Sequence, residues 1–298
     1  NRKGRLPRLP FSLPPSLRIH VKNAAMRERP LIFGIVNITP DSFSDGGKYL
    51  AADAALAHAR KLVANGADVI DLGPASSNPN AAPVTAKEEI RRLAPVLEAL
   101  AGDGISLSLD SFRPETQSFA LARGVRYLND IEGFANEDFY PALAASDAGL
   151  VVMHSIQRRG NADRRPAPGG DILDHICRFF EARLGALGAA GIERARIMLD
   201  PGMGFFLGPK AETSFEVLAR LGELKSRFGL PVFISVSRKS FLRMAVGRAP
   251  GEAGAATLAA ELLAALHGAA VIRTHEPAPL LDGLTIAARF KAGQSTGA

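Results

Sequence analysis

The feature that most constrains the fold of this sequence is a repeated alternation of strand-like and helix-like segments from residue 31 onward. Short apolar, β-branched runs alternate with stretches rich in Ala, Leu, Glu and Arg. The strand candidates are LIFGIV (31–36), DVIDL (68–72), ISLSLD (105–110), VRYLN (125–129), GLVVMH (149–154), RIMLD (196–200), PVFISV (231–236) and AVIRT (270–274). The helical stretches include 53–65, 86–101, 114–123, 171–190, 212–228, 254–267 and 278–291. This pattern predicts an α/β fold with a parallel sheet, and eight units predict a closed (β/α)8 TIM barrel. A doubly wound open sheet is the alternative.

The chain of 298 residues is long enough for one such domain, which we place at residues 30–292, with a flexible tail at 293–298. Residues 1–29 carry eight Lys or Arg and one acid, so they hold the whole positive charge and the remainder is slightly acidic. Their proline content predicts a flexible, disordered leader. An organellar transit peptide is the alternative. A basic tail on an uncharged fold argues against a nucleic-acid-binding domain.

Two further counts narrow the class of protein. No apolar run approaches the length of a membrane span, so we expect no membrane association. The single cysteine, Cys177, cannot form an internal disulfide and lies in a helical pattern, so it is interpreted as a small core residue. Both observations fit a cytoplasmic protein in a reducing compartment.

Polar residues follow every predicted strand. In a (β/α)8 barrel the catalytic groups lie at the C-terminal ends of the strands, so these residues are expected at one rim. Isolated Asp residues at strand ends are often helix N-caps, and Asp53 and Asp171 are interpreted that way. In strand order the rim residues are Asn37, Asp71, Asp110–Ser111, Asn129–Asp130, Met153–His154, Asp200, Ser237–Arg238–Lys239 and Arg273–Thr274–His275.

The charges at this rim have a chemical interpretation. Carboxylates follow strands 2, 3, 4 and 6, and cations follow strands 7 and 8. Arg273 and His275 are two residues apart, so we expect them to face the same side and form an anion pocket beside the helix opened by residues 237–239. The carboxylates opposite suit a ligand with N–H donors, such as an aminopyrimidinone edge. An internal salt-bridge network is the alternative.

At these residues the sequence resembles dihydropteroate synthases, over about residues 31–291. The segment from Phe33 to Gly47, which contains Asn37-Ile38-Thr39-Pro40-Asp41-Ser42-Phe43, is similar to the first signature of that family, and residues 66–73 are similar to the second. Further similar segments are 199–205, 237–240, 129–131 and 273–275.

The resemblance implies an activity: an SN1-like condensation of 6-hydroxymethyl-7,8-dihydropterin pyrophosphate with p-aminobenzoate. It implies catalytic roles for Lys239, Asp110 and Asp200. A pterin site would contain Asp110, Asn129, Asp200 and Lys239 with Met153 nearby, a pyrophosphate site Asn37, Arg273 and His275, and a p-aminobenzoate site Ser77, Phe205, Ser237 and Arg238. Asn37 would also contact Mg²⁺, and the last helices would form a homodimer face. Taken alone, Met153 and Phe205 could equally be core residues.

Two departures from ordinary members of this family concern inhibitor binding. Asn78 stands where an arginine is usual, and the run from Phe205 to Gly208 is longer and more aromatic than usual. Both departures are similar to the acquired, sulfonamide-resistant branch. We therefore expect insensitivity to sulfonamides, with Phe206 as the wedge that strikes the drug. A buried loop anchor is the alternative role for Phe206. The alternative functions are a pterin-dependent methyltransferase and a non-catalytic barrel that binds pterin or RNA.

Overall fold

The structure is a computed structural model that describes residues 29–38, 47–76, 82–157 and 160–295, apart from the side chains of 47–51 and 291–295. Eight parallel strands close into a barrel in chain order, which confirms the predicted architecture and excludes the open sheet. The strands are β1 (Leu31–Asn37), β2 (Val69–Gly73), β3 (Leu107–Asp110), β4 (Tyr127–Asp130), β5 (Gly149–Met153), β6 (Ile197–Asp200), β7 (Val232–Ile234) and β8 (Ala269–Thr274).

Helices surround the barrel. In the described residues they are α1 (Gly47–Ala64), α2 (Ala86–Gly102), α3 (Pro114–Leu121), α4 (Tyr140–Ala145), α5 (Ile172–Ala189), α6 (Ala211–Ala219), α7 (Leu221–Phe228), α8 (Ser240–Ala245), α9 (Gly254–Leu266) and α10 (Pro277–Ser295). Three expectations need correction. The stretch 212–228 is two helices separated at Arg220. Asp53 lies inside α1 and is not its N-cap. The tail expected from residue 293 is helical through Ser295, where α10 ends.

Local chemistry explains several helix ends. Thr85 is the N-cap of α2, where its side chain accepts a hydrogen bond from the Glu88 amide at 3.3 Å. Pro114 occupies the first turn of α3, where a missing N–H costs nothing. Asp171 is the N-cap of α5, as predicted, and accepts from the Leu173 amide at 2.7 Å. Gly229 ends α7 in the left-handed conformation that favours glycine.

An apolar plug fills the lower half of the barrel. Phe33 lies at its centre, and its ring meets the rings of Tyr127 and Phe233 edge-on at centroid distances of 5.1 and 5.4 Å. Because this layer is filled with large side chains, the interior is a packed core, and ligands are confined to the mouth above it. The buried members of the plug are Leu31, Phe33, Val69, Tyr127, Val151, Met198, Phe233 and Val271.

The larger core lies between the strands and the surrounding helices. Cys177 is buried there on α5, which confirms its interpretation as a core residue. In the described part of the chain, none of the helices combines the length and the apolar character needed to cross a membrane.

The expectation of a flexible basic leader concerns residues 1–29, and residues 1–28 lie outside the described residues. Arg29 is described, and it binds the Asp68 carboxylate through two nitrogens at 2.8 and 3.0 Å. Asp68 also accepts from the Ile32 amide at 2.9 Å, so this pair lies at the start of β1. The last cation assigned to the leader therefore belongs to the barrel.

Candidate active site

A polar layer lies directly above the apolar plug. Successive side chains of a strand point to opposite faces, so the residue two positions after an interior residue also faces the interior. Five plug residues are followed two positions later by a second residue that faces the interior. These interior pairs are Val69 and Asp71, Tyr127 and Asn129, Val151 and Met153, Met198 and Asp200, and Val271 and Arg273. The register pairs Asp110 with Asn129 and Met153 with Asp200. The structure therefore brings most of the predicted pterin and pyrophosphate residues to the mouth of the barrel.

Two carboxylates hold Arg273 within this layer. Its Nε is 2.5 Å from Asp71 Oδ2, and its Nη2 is 2.6 Å from Asp110 Oδ2. Asn129 also donates to Asp71, at 3.4 Å. The prediction that cations and carboxylates occupy opposite sides of the rim is thus wrong for Arg273. Barrel closure places β8 beside β1, which in turn lies beside β2, and β2 lies beside β3. Side chains of β8 therefore reach across the interior to side chains of β2 and β3.

Burial shifts the ionisation of the layer. It raises the pKa of Asp110 to about 6, although Arg273 opposes the shift. Burial likewise raises the pKa of Asp200 to about 6, against the hydrogen bond that this carboxylate accepts from the Gly202 amide. Burial lowers the pKa of Lys239 to about 8, and Asp200 opposes that change. These groups are therefore less stable in their charged forms than they would be in water, and they gain from a ligand of complementary charge.

One wall of the mouth is apolar. Met153, Ile131, Ala162 and Phe206 form a buried cluster. The Lys239 ammonium lies 5.1 Å from the centroid of the Phe206 ring and donates to the Met203 carbonyl at 3.3 Å. No described carboxylate lies within ion-pair distance of Lys239, so its other N–H bonds are available to a ligand. Met153 therefore serves both interpretations: it is a core residue that also borders the site.

A polar edge follows β7 and β8. Ser237 Oγ lies 2.9 Å from His275 Nδ1 and accepts from the His275 amide at 3.1 Å. Arg238 is exposed, has a left-handed φ of +59°, and lies 3.5 Å from a Glu276 oxygen. This backbone conformation is costly for arginine and is typical of functional turns. The helix expected here is α8, with Lys239 as its N-cap.

The predicted anion pocket contains His275, whose ionisation is shifted by burial. Burial lowers the pKa of His275 to about 3, and the nearby Arg238 and Arg273 lower it further. His275 is therefore neutral in the unliganded protein, and Arg273 supplies the positive charge of the pair that the sequence predicts as an anion pocket. An imidazole can still donate one hydrogen bond to a phosphate oxygen.

A second polar network lies outside the barrel wall, behind β3 and β4. Glu89 on α2 accepts hydrogen bonds at 2.7 Å from both Ser111 Oγ and Thr116 Oγ1. Gln117 on α3 donates to the Ser111 carbonyl at 2.7 Å and to the Asp130 carboxylate at 2.8 Å. The prediction that strand 4 brings a carboxylate to the ligand is thus wrong, because Asp130 faces α3 and Asn129 faces the mouth. The network instead fixes the strand ends that carry Asp110 and Asn129.

The loop after β5 connects several parts of the rim. His154 Nδ1 lies 3.0 Å from the Pro201 carbonyl, next to Asp200. Gln157 donates to the Phe205 carbonyl at 2.8 Å, which fixes the turn after β6. Asn161 donates to the Ser76 carbonyl at 3.2 Å, so this loop reaches the one after β2.

Two predicted site residues, Ser77 and Asn78, lie outside the described residues, as does most of the first signature segment after Ile38. Asn37 is described and exposed at the end of β1. A Cβ atom at Gly73 would lie 3.3 Å from Asn37 Oδ1, so the glycine leaves space beside that oxygen.

A metal ion held at Asn37 would take few ligands from the described residues. Among the described residues, no three His, Cys, Asp or Glu side chains are grouped so that they could hold a metal ion. Mg²⁺ prefers oxygen ligands, keeps several waters and is often held mainly by substrate phosphates. A single amide oxygen at Asn37 is compatible with that mode of binding.

Sequence reasoning missed the roles of Asp71 and Gln117. The sequence places Asp71 among the rim carboxylates that suit a ligand, but it does not predict the pairing of Asp71 with Arg273. The signal that could have identified it is its position two residues after Val69, since a carboxylate on the interior face of a buried strand needs a partner. Gln117 gave no comparable signal, because one polar residue in a helix does not indicate what it faces.

Comparison with known proteins identifies relatives of this arrangement. The family described as "Pterin binding enzyme" matches residues 33–275. The dihydropteroate synthase type-2 of Escherichia coli is 67% identical over 266 residues, which cover 89% of this chain and 98% of that protein.

Solved structures of dihydropteroate synthases are similar in fold to this chain. Dihydropteroate synthase of Xanthomonas albilineans with 4-aminobenzoic acid has a TM-score of 0.81 and 37% identity, and the match covers 89% of this chain and 94% of that one. The enzyme from the same organism in complex with 7,8-dihydropteroate has a TM-score of 0.78 and 36% identity, with the same coverage. The sequence is thus more similar to the type-2 protein than to either of these structures.

Proposed function

The chain belongs to the dihydropteroate synthase family of pterin-binding enzymes, and we propose from this that it joins 6-hydroxymethyl-7,8-dihydropterin pyrophosphate to p-aminobenzoate. The products are 7,8-dihydropteroate and pyrophosphate. The observation that carries the proposal is the polar layer, in which carboxylates, an amide and two cations surround one mouth above a closed core. The relatives found are dihydropteroate synthases, which favours this function over a methyltransferase or a non-catalytic barrel.

The charges of the layer suit a reaction through a cation. Asp71, Asp110 and Asp200 provide three carboxyl groups, against the cationic Arg273 and Lys239. In the proposed step the bond between the pterin methylene carbon and the pyrophosphate oxygen breaks, and its electron pair leaves with the oxygen. Asp110 and Asp200 stabilise the positive charge left on the pterin. The aniline nitrogen of p-aminobenzoate then forms the new carbon–nitrogen bond and releases a proton.

In this proposal, different residues bind the pterin ring and the pyrophosphate leaving group. Asp110, Asn129, Asp200 and Lys239 bind the pterin edge, with Met153 beneath it. Asn129 Oδ1 is buried and has no hydrogen-bond partner among the described residues, so it can accept from the ligand. Arg273, His275 and Asn37 bind the pyrophosphate. Mg²⁺, held at Asn37 and by the pyrophosphate itself, would neutralise part of its charge.

The p-aminobenzoate end lies along the edge after β6 and β7 in this proposal. Phe205 is half-buried, and the Arg164 guanidinium lies 5.9 Å from its ring centroid. Ser237 and Arg238 provide polar groups on the neighbouring turn. Ser77, in the loop after β2, completes the predicted set.

The test of this function is to supply the pterin pyrophosphate and Mg²⁺, and to measure pyrophosphate release with and without p-aminobenzoate. We expect rapid release and an equal amount of 7,8-dihydropteroate only when both substrates are present. Release that continues at the same rate without p-aminobenzoate, or no release at all, would contradict the proposal.

We further propose that the enzyme is insensitive to sulfonamides. These drugs copy the aniline of p-aminobenzoate but replace its flat carboxylate with a branched sulfonyl group. Discrimination therefore requires bulk where that end lies. The turn that contains Phe205 and Phe206 provides such bulk, and Asn78 would reshape the opposite wall. Phe206 is only 5% exposed and packs against Met153, which favours its alternative role as a buried anchor.

The variant Phe206→Ala distinguishes the two roles of Phe206. If its ring is the wedge, the inhibition constant of a sulfonamide falls at least about tenfold, the effect of roughly 1.4 kcal/mol, while the KM for p-aminobenzoate changes little. If the ring is an anchor, both constants shift together because the whole turn relaxes. Phe215→Ala is the control, since it removes a more exposed phenylalanine ring outside the proposed p-aminobenzoate site and should change neither constant. A wild-type enzyme inhibited at ordinary drug concentrations would contradict the proposed insensitivity.

We also propose a homodimer through the last helices. The helices α9 and α10 pack together and carry the exposed apolar residues Leu263, Leu266, Ile286 and Phe290, the last 72% exposed. Contiguous exposed apolar side chains are typical of protein interfaces.

The double variant Leu266→Glu with Phe290→Glu should convert a dimer into a folded monomer in sedimentation velocity. Val63→Glu, an exposed apolar residue of α1, is the control and should leave the dimer intact. A wild-type protein that sediments as a monomer at micromolar concentration would exclude this interface.

A further inference from the structure

Arg273 binds two carboxylates that differ in their access to solvent. Asp71 is completely buried, at 0% exposure, and binds the guanidinium Nε. Asp110, with a side chain 18% exposed, is at the end of β3 and binds Nη2. The two contacts hold different edges of the same planar group.

Substrate binding is expected to affect the contacts of these two carboxylates with Arg273 differently. This inference rests on the proposed function, in which Asp110 accepts N–H bonds from the pterin. A pterin bound there competes with Arg273 for Asp110. Asp71 lies deeper in the layer, between the apolar plug and the mouth, where a ligand does not reach a fully buried oxygen. Its contact with Arg273 can therefore persist while the contact of Asp110 is exchanged.

Asp71 depends on Arg273 for compensation of its charge. Its Oδ2 binds Arg273 and accepts a longer bond from Asn129, and its Oδ1 has no hydrogen-bond partner among the described residues. A buried carboxylate is stable only when it is paired, so the positions of the two groups are coupled. Burial lowers the pKa of Arg273, but the nearby Asp71 and Asp110 raise it by more, so the guanidinium stays charged.

We propose that Asp71 is a positioning residue that fixes Arg273 through Nε, so that the Nη groups face the pyrophosphate once the pterin has taken over Asp110. A guanidinium recognises phosphate through a planar fork of N–H bonds, and this recognition requires a defined orientation. Asp71 itself touches neither substrate. It acts on the leaving group only through Arg273.

The test uses Asp71→Asn, which keeps the size of the side chain and removes its charge. Two ligands are titrated by calorimetry: inorganic pyrophosphate with Mg²⁺, and 6-hydroxymethylpterin, which has the ring without the pyrophosphate. We expect the affinity for pyrophosphate to fall about 10- to 100-fold, the usual effect of losing a hydrogen bond to a charged group, and the affinity for the pterin to change less than about threefold. A merely structural role would weaken both ligands together.

The control variant is Ser108→Ala. Ser108 pairs with Asp71 in the register of β2 and β3, is equally buried, and its hydroxyl has no hydrogen-bond partner in the described residues. We expect both affinities to stay at the wild-type level in this variant. In an Arg273→Ala background, Asp71→Asn should cause no further loss of pyrophosphate affinity, because Asp71 acts through the missing guanidinium.

A second substitution keeps the proposal testable if Asp71→Asn does not fold. Asp71→Ser shortens the side chain so that it no longer reaches Arg273 Nε, so we expect the same selective loss of pyrophosphate affinity. Equal losses for both ligands, an unchanged pyrophosphate affinity, or a full further loss in the Arg273→Ala background would overturn the role of Asp71. A wild-type protein that binds neither ligand would overturn the proposed function, and with it this inference.

Discussion

Replacing Lys239 by alanine is expected to lower kcat/KM for the pterin pyrophosphate by about 100- to 1000-fold, the effect of removing one preorganised group worth about 2.7–4 kcal/mol. Lys239 lies at the mouth, contacts the Phe206 ring, and has N–H bonds available to a ligand. Burial lowers its pKa to about 8, which shows that the ammonium is already desolvated in the folded protein. Substrate binding therefore does not have to remove water from it. The measurement is steady-state kinetics on protein shown to be folded by circular dichroism.

The control for this prediction is Lys87→Ala. Lys87 is an exposed lysine of α2, and its loss should leave kinetics and stability unchanged. Near-normal turnover in folded Lys239→Ala would show that Lys239 does not belong to the pterin site.

The second large effect is expected for Asp200→Asn, with a loss of kcat of about 100- to 1000-fold. Asp200 faces the mouth in the layer above the plug, where its charge stabilises the proposed cation. An asparagine keeps the shape but lacks that charge. Burial raises the pKa of Asp200 to about 6, so its carboxylate is lost as the pH falls through that value. The wild-type kcat/KM should therefore also decline below about pH 6, because protonation removes the same charge.

Asp130→Asn is a matched control, since Asp130 is an equally buried carboxylate at the end of a strand. Its side chain faces α3 and binds Gln117 and the Glu132 amide. We expect this variant to lose stability but to keep kcat within a few-fold of wild type. If Asp130→Asn is as inactive as Asp200→Asn, the assignment of the two side chains to opposite faces of the barrel wall is incorrect.

Much of the architecture could be predicted from the sequence, because hydrophobic patterning and strand length are local properties. All eight predicted strands are present, each with ends within two residues of the expected ones. The less accurate part is helix segmentation. At the break, Arg220 forms ion pairs with Asp171 at the start of α5 and with Glu223 in α7, and the first of these contacts cannot be read from the local sequence.

The site could be predicted only in part. Sequence reasoning identified pairs such as Asn129–Asp130, but only the parity of the strand decides which member faces the mouth. Asn129 faces the mouth because Tyr127, two residues earlier, lies in the plug. The position of Tyr127 depends on the tertiary structure. The pairing of Arg273 with Asp71 joins residues 202 positions apart. It depends on barrel closure and on side-chain rotation, and no spacing in the sequence specifies either.

The most direct test of the central claim follows an oxygen atom in the pterin pyrophosphate. The claim is that the polar layer allows the bond between carbon and oxygen to break before p-aminobenzoate attacks. The substrate carries ¹⁸O at the bridging oxygen between the pterin methylene carbon and the adjacent phosphorus. It is incubated with the enzyme and Mg²⁺ without p-aminobenzoate, and recovered substrate is analysed by ³¹P NMR. We predict that the label migrates into the non-bridging positions of the same phosphoryl group in wild type, and at least about tenfold more slowly in Asp200→Asn, by the loss of one stabilising charge. A label that stays in the bridging position in wild-type enzyme, under conditions in which the same enzyme forms dihydropteroate once p-aminobenzoate is added, would contradict the account.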